Sequence, residues 1–99
     1  MDDPNDAAGS VVAWTGLVKG RVQGVFFRAE TQRVAIELGI AGWVRNTLEG
    51  HVELLIGGTP QAIKEMRIWL KEGPPLARVD ALELQECPAV DVPGFEIRY

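Results

Sequence analysis

The chain has 99 residues, 46% of them hydrophobic and 24% charged, the mix of one small globular domain rather than a disordered, collagen-like or coiled-coil chain. Ten Lys and Arg against 14 Asp and Glu give a formal net charge of −4. That balance argues against nucleic acid as the main partner, because phosphate backbones are bound through a positive footprint.

The acidity is concentrated at one end. Asp2, Asp3 and Asp6 precede every basic residue, and taking these three from the 14 leaves 11 acidic residues against 10 basic ones. Residues 1–10 are polar, small and contain Pro4, so they are expected to form a flexible acidic N-terminal tail, with residues 11–99 as the folded domain. The tail has no basic segment or apolar run of a secretory leader. No apolar stretch approaches the ~20 residues needed to span a bilayer, so a cytoplasmic protein without a membrane partner is expected. Cys87 is the single cysteine, which excludes an internal disulfide framework. With no Cys or His nearby, it reads as a passive thiol.

The elements follow in chain order. Residues 11–19 are rich in β-formers and read as a strand. Gly20 to Gly24 form a loop with two glycines. A helix is predicted from about Phe26 to Leu38, with Phe27, Thr31, Val34, Ala35 and Leu38 on one face of a 3.6-residue period and Gly39 as its stop. Residues 40–47 read as a second strand and Leu48-Glu49-Gly50 as a turn. His51 to Ile56 form a third strand with Val52, Leu54 and Ile56 on one face, ended by Gly57-Gly58. Thr59 suits an N-cap and Pro60 the first helical position, so a second helix begins there and stops at Gly73-Pro74-Pro75. Ile63, Met66 and Leu70 share its apolar face. Residues 77–86 read as a fourth strand, and Phe95, Ile97 and Tyr99 alternate with Glu96 and Arg98 in a short last one. Trp14, Trp43 and Trp69 all read as core or core-edge residues. The order βαββαβ plus a short C-terminal strand gives an α+β, ferredoxin-like split βαβ sandwich. Its expected form is one mostly antiparallel sheet with two helices on one face.

Fold does not name function, but the loop before the first helix is informative. A Gly-flanked loop running into a helix N-terminus presents unpaired N–H groups at the positive end of the helix dipole, a ready anion site. Arg28 lies in the first turn, where that dipole disfavours a cation; a bound phosphate or carboxylate would compensate, and Arg binds phosphate oxygens with a fork. A solvated Arg is the alternative. No Gly-Lys-Ser/Thr follows and no Gly-x-Gly-x-x-Gly is present, so a nucleotide is not implied. Asn46 ends the second strand and can hold a water by both donor and acceptor, although a turn-forming Asn is the simpler reading from position alone.

Gly20-Arg21-Val22-Gln23-Gly24-Val25-Phe26-Phe27-Arg28 resembles the signature of the acylphosphatase family. Gly42-Trp43-Val44-Arg45-Asn46-Thr47, followed by Gly50, resembles that family's second signature, and Phe95-Glu96-Ile97-Arg98-Tyr99 is similar to its C-terminus. The resemblance spans roughly residues 11–99. It implies a metal-independent, cofactor-free hydrolase of acyl phosphates that releases a carboxylate and inorganic phosphate. It implies Arg28 as the phosphate-binding catalytic residue and Asn46 as the residue positioning the attacking water. Backbone N–H groups of Gly20, Arg21, Val22, Gln23, Gly24, Val25 and Phe26 would form the phosphate cradle, with inorganic phosphate or similar anions as inhibitory ligands. A monomer is also implied.

Other residues are less promising. His51 falls on the polar face of a strand and reads as solvated. The Asp and Glu residues are scattered without metal-ligand spacing. RNA recognition by the sheet is disfavoured because the third strand, HVELLI, has neither an aromatic nor a basic residue. A noncatalytic small-anion-binding or regulatory module built on the same loop is the alternative function.

Overall fold

The computed structural model describes residues 11–89 and 91–99; the expected tail of residues 1–10 lies outside them. The elements are β1 (Val12–Arg21), α1 (Phe27–Leu38), β2 (Ala41–Asn46), β3 (Val52–Gly58), α2 (Pro60–Glu72), β4 (Arg78–Cys87) and β5 (Phe95–Arg98). The sheet order is β4-β1-β3-β2-β5. Every pairing is antiparallel except β2 with β5, which is parallel. This is the expected split βαβ sheet with the C-terminal strand added at the β2 edge.

Both helices cover the same face. α1 packs on β2 and β5, α2 on β4, β1 and β3, and the two helices touch each other. Alternation along the strands supplies the floor of the core: Val18 and Val52, Leu54, Ile56 and Val44 are fully buried on that face. The helices close it with Phe27, Val34 and Ala35 from α1 and Ala62, Ile63, Met66 and Leu70 from α2. The Phe27 and Trp69 rings meet at 5.8 Å and 53°, joining the two helices. Burying this apolar face is the main driving force for the fold, at roughly 1.5–3 kcal/mol for each large side chain. Thr59 caps α2, its Oγ1 accepting from the Ala62 N–H at 3.2 Å, and Gly39 ends α1 with φ 73°.

Three expectations need adjustment. β1 runs to Arg21 rather than stopping at Lys19. After a register shift between Lys19 and Gly20, Gly20 pairs with Val79 and Arg21 with Arg78. Glycine is required there: a Cβ on Gly20 would stand 2.1 Å from the Arg78 carbonyl oxygen. Second, Gly57 and Gly58 continue β3 instead of ending it, because they pair with Ala13 and Val12 of β1. Third, Trp43 is not a core residue. It pairs with Leu55 on the face that carries no helix, and the Arg98 and Arg45 guanidinium carbons lie 4.9 Å and 5.9 Å from its ring centre. Trp14 and Trp69 do pack against the core.

Candidate active site

Residues 22–26 connect β1 to α1. Val22 and Val25 turn their side chains into the core, at 1% and 9% exposure, and so pin the loop at two points. Between them Gly24 takes φ 74° with open space where a Cβ would stand. Its glycine serves conformation, not crowding. Phe26 follows with φ 63° and ψ 21°, the one non-glycine residue at positive φ among those described. It is the N-cap of α1, yet its side chain has no oxygen to offer, and among the described residues no side chain caps this helix. Among the described residues, the N–H groups of Gln23, Gly24, Val25 and Phe26 meet no backbone acceptor. The positive end of α1 therefore stays open, in contrast to the capped start of α2.

Arg28 stands in the first turn of α1. Its Nη1 donates to the Arg98 carbonyl at 3.3 Å, and its guanidinium lies over the Tyr99 ring at 4.9 Å. Among the described residues it pairs with no carboxylate. The nearby acid on the helix, Glu30, is instead held by Arg33 at 2.9 Å, and Arg33 also pairs with Glu37 at 2.8 Å. These two acids hold the Arg33 guanidinium above its ordinary value. Arg28 thus keeps its charge for another anion.

Asn46 closes β2 beside this end of the helix. Its Oδ1 is buried and finds no hydrogen-bond partner among the described residues. Arg28, Asn46, Val22, Gly24 and Phe26 line one cleft of about 290 Å³. Phe27 and Ala29 of α1 line it too, beside Ile97 and Tyr99 of the C-terminal segment. These last two had no signal as site residues in the sequence. They arrive through the parallel β2–β5 pairing, in which Val44 faces Ile97 and Arg45 faces Arg98, so β5 ends where Asn46 ends β2. Gln32 Nε2 reinforces this by donating to the Phe95 carbonyl at 3.0 Å, one helical turn beyond Arg28.

The other expected cradle residues lie outside the cleft lining. Gly20 and Arg21 belong to β1. Gln23 sends its side chain to the hairpin between β2 and β3, where Nε2 donates to the carbonyls of Thr47 and His51 at 2.8 Å each. That hairpin is itself tied: the His51 N–H donates to Thr47 Oγ1 at 3.1 Å, and the Thr47 N–H to the His51 carbonyl at 2.9 Å. Gln23 therefore couples the loop to the turn that follows Asn46. His51 takes part through its backbone and is not a lining residue of the cleft. Among the described residues, no group of three His, Cys, Asp or Glu is placed to hold a metal ion, and no helix is long and apolar enough to cross a membrane.

The family described as Acylphosphatase matches residues 14–97. The chain belongs to the acylphosphatase family. It is 45% identical to an acylphosphatase of Synechococcus sp. (strain WH7803) over 85 residues, covering 86% of this chain and 85% of that one. A solved acylphosphatase structure from Coxiella burnetii superimposes with a TM-score of 0.81 at 40% identity, covering 89% of this chain and 90% of that one. The acylphosphatase structure from Bacillus subtilis gives 0.83 at 33% identity, covering 90% and 99%. In this acylphosphatase the cleft draws on four separate segments: the β1–α1 loop, the first turn of α1, the end of β2 and the end of β5.

Proposed function

We propose that this acylphosphatase hydrolyses the carboxyl–phosphate bond of acyl phosphates in the cleft between the β1–α1 loop and Asn46. The observation that carries the reading is the juxtaposition in one cleft of an Arg28 guanidinium and a buried Asn46 Oδ1 that find, among the described residues, no carboxylate partner and no donor respectively. One side chain is suited to an anion and the other to a water. In the reaction the substrate phosphate sits at the open end of α1. Its oxygens receive hydrogen bonds from Arg28 and from loop N–H groups within residues 20–26. Water attacks phosphorus in line with the departing carboxylate. A new O–P bond forms, the bond from phosphorus to the bridging oxygen breaks, and the electron pair leaves on the carboxylate. A dianionic acyl phosphate and water thus give one carboxylate and one dihydrogen phosphate, with both water protons ending on phosphate.

Phosphoryl transfer of this kind relies on positioning and on neutralising charge at the equatorial oxygens. Arg28 and the helix end supply the positive potential. Asn46 Oδ1 accepts a hydrogen bond from the water and so aims the oxygen lone pair at phosphorus. The leaving group is a carboxylate, so it needs no protonation, and the substrate phosphate accepts the proton from water. No metal ion enters the scheme. Inorganic phosphate, the product, competes for the same cradle. The reading also takes the protein to be a monomer in the cytoplasm.

Release of phosphate from benzoyl phosphate and acetyl phosphate, measured with and without a chelator, tests this function. Turnover that persists with chelator is expected. Binding of phosphate without turnover of either substrate would instead favour a small-anion-binding or regulatory module.

A further inference from the structure

Phe26 goes against three local preferences at once. It holds a left-handed backbone, φ 63°, that suits glycine. It occupies an N-cap, where Ser, Thr, Asp, Asn or Gly would serve. It leaves a large apolar ring 72% exposed, while its neighbour Phe27 is 1% exposed. Packing explains Phe27 and does not explain Phe26. Strain of this kind concentrates at functional positions.

The ring stands in the lining of the same cleft as Arg28 and Asn46. In an acyl phosphate the organic group is joined to phosphorus through one bridging oxygen, so it must lie beside the phosphate. The remaining wall there is apolar or aromatic, from Ile97 and Tyr99. Among the described residues Arg28 is the single charged side chain in the lining, and the reaction already assigns it to the phosphate. The cleft therefore offers no second cation for a carboxylate or a second phosphate on the acyl group.

Building on the acyl phosphate reading above, we infer that Phe26 is the specificity-determining wall of the acyl subsite, selecting flat, uncharged aromatic acyl groups over small or charged ones. Its ring and the substrate ring stack or meet edge to face, a contact that shifts an equilibrium roughly two- to tenfold. The contact persists from bound substrate to transition state, so it acts on KM more than on kcat.

The test compares kcat/KM for benzoyl phosphate and acetyl phosphate in the wild type and in Phe26→Gly, Phe26→Asn and Phe26→Tyr. Gly and Asn both tolerate the left-handed backbone, so each removes the ring without new strain. Any effect on the loop backbone acts on both substrates and cancels in the ratio. The benzoyl-to-acetyl ratio is expected to fall roughly two- to tenfold in the Gly and Asn variants and to hold in Phe26→Tyr. An unchanged ratio in both ringless variants overturns the inference. The Kd ratio of benzylphosphonate to methylphosphonate reads the same contact without turnover. A wild type that binds both phosphonates but hydrolyses neither acyl phosphate refutes the proposed reaction. The Kd ratio of the ringless variants then decides separately whether Phe26 holds the organic group.

Discussion

The guanidinium carbon of Arg28 lies 4.9 Å from the centre of the Tyr99 ring, and its Nη1 donates to the carbonyl of the preceding residue, Arg98, at 3.3 Å. The end of β5 therefore orients the one cation of the cleft. Tyr99 is 98% exposed, so its ring adds nothing to the core. A cation–π contact at an exposed site contributes ~0.5–1 kcal/mol. Tyr99→Ala should weaken inhibition by inorganic phosphate about two- to fivefold while the melting temperature hardly moves. Tyr99→Phe keeps the ring face and should behave like wild type. Equal loss in both variants would assign the effect to the phenol oxygen instead.

Arg28 itself should matter far more. A hydrogen bond to a charged group contributes ~1.5–3 kcal/mol. With two such bonds to the phosphate, Arg28→Gln should lower kcat/KM by roughly two to four orders of magnitude. Arg28→Lys keeps the charge but not the fork, and should recover only a small part of that loss. Because Arg28 is partly exposed and pairs with no carboxylate among the described residues, neither change should lower thermal stability appreciably. Steady-state kinetics beside a thermal melt separate the two effects.

Asn46 offers the opposite signature. Its buried Oδ1 has no partner among the described residues, so Asn46→Ala strands no donor of the protein and the melting temperature should hold. Turnover should fall sharply, with kcat reduced much more than the inhibition constant for phosphate is raised. Function and stability pulling apart at one residue is the mark of a group kept for chemistry. A variant that loses stability in proportion to activity would make Asn46 a structural residue.

These contrasts also explain what the sequence could reveal. Phe27, Thr31, Val34 and Ala35 are buried as their spacing predicts, because a helix with one apolar stripe has one way to face a sheet. Thr59 and Pro60 mark the start of α2 by short-range chemistry alone. The extension of β1 through Arg21 depends on β4, far along the chain, and Trp43 faces away from the helices because its strand alternation places Val44 inward. Ile97 and Tyr99 join the cleft only once β5 pairs beside β2. The Gly-flanked loop and Arg28 were legible because helix-end electrostatics is local. The orphaned Asn46 oxygen was not, because being unpartnered is a property of the whole fold.

Thr31 gives a stability prediction independent of the reaction. It is fully buried in α1, and its Oγ1 has no partner among the described residues. Val has nearly the same shape and removes the hydroxyl. Thr31→Val should stabilise the protein by about 1 kcal/mol, or raise the melting temperature by roughly 4–8 °C for a domain of this size. A fall in melting temperature would show that the hydroxyl is satisfied in solution.

The coupling by Gln23 can be tested without leaving an acceptor stranded. When its amide is removed, the Thr47 carbonyl still accepts from the Gly50 N–H at 3.2 Å and the His51 carbonyl from the Thr47 N–H at 2.9 Å. The cost of Gln23→Met is then the net value of two hydrogen bonds, about 1–3 kcal/mol in total. Because these bonds hold the phosphate loop against the hairpin after Asn46, kcat should fall beyond what the stability loss explains at temperatures where the variant is fully folded. Gln23→Glu should be worse than Gln23→Met at neutral pH, since a carboxylate would face two carbonyl oxygens. That repulsion raises the pKa of the introduced carboxyl group in the folded state above its ordinary ~4.3. The folded state then favours the protonated form, so stability is gained as pH falls through the raised value and lost as pH rises through it. The gap in melting temperature between the two variants should therefore narrow toward acid pH. A constant gap would mean that the side chain at position 23 does not face the Thr47 and His51 carbonyls in solution.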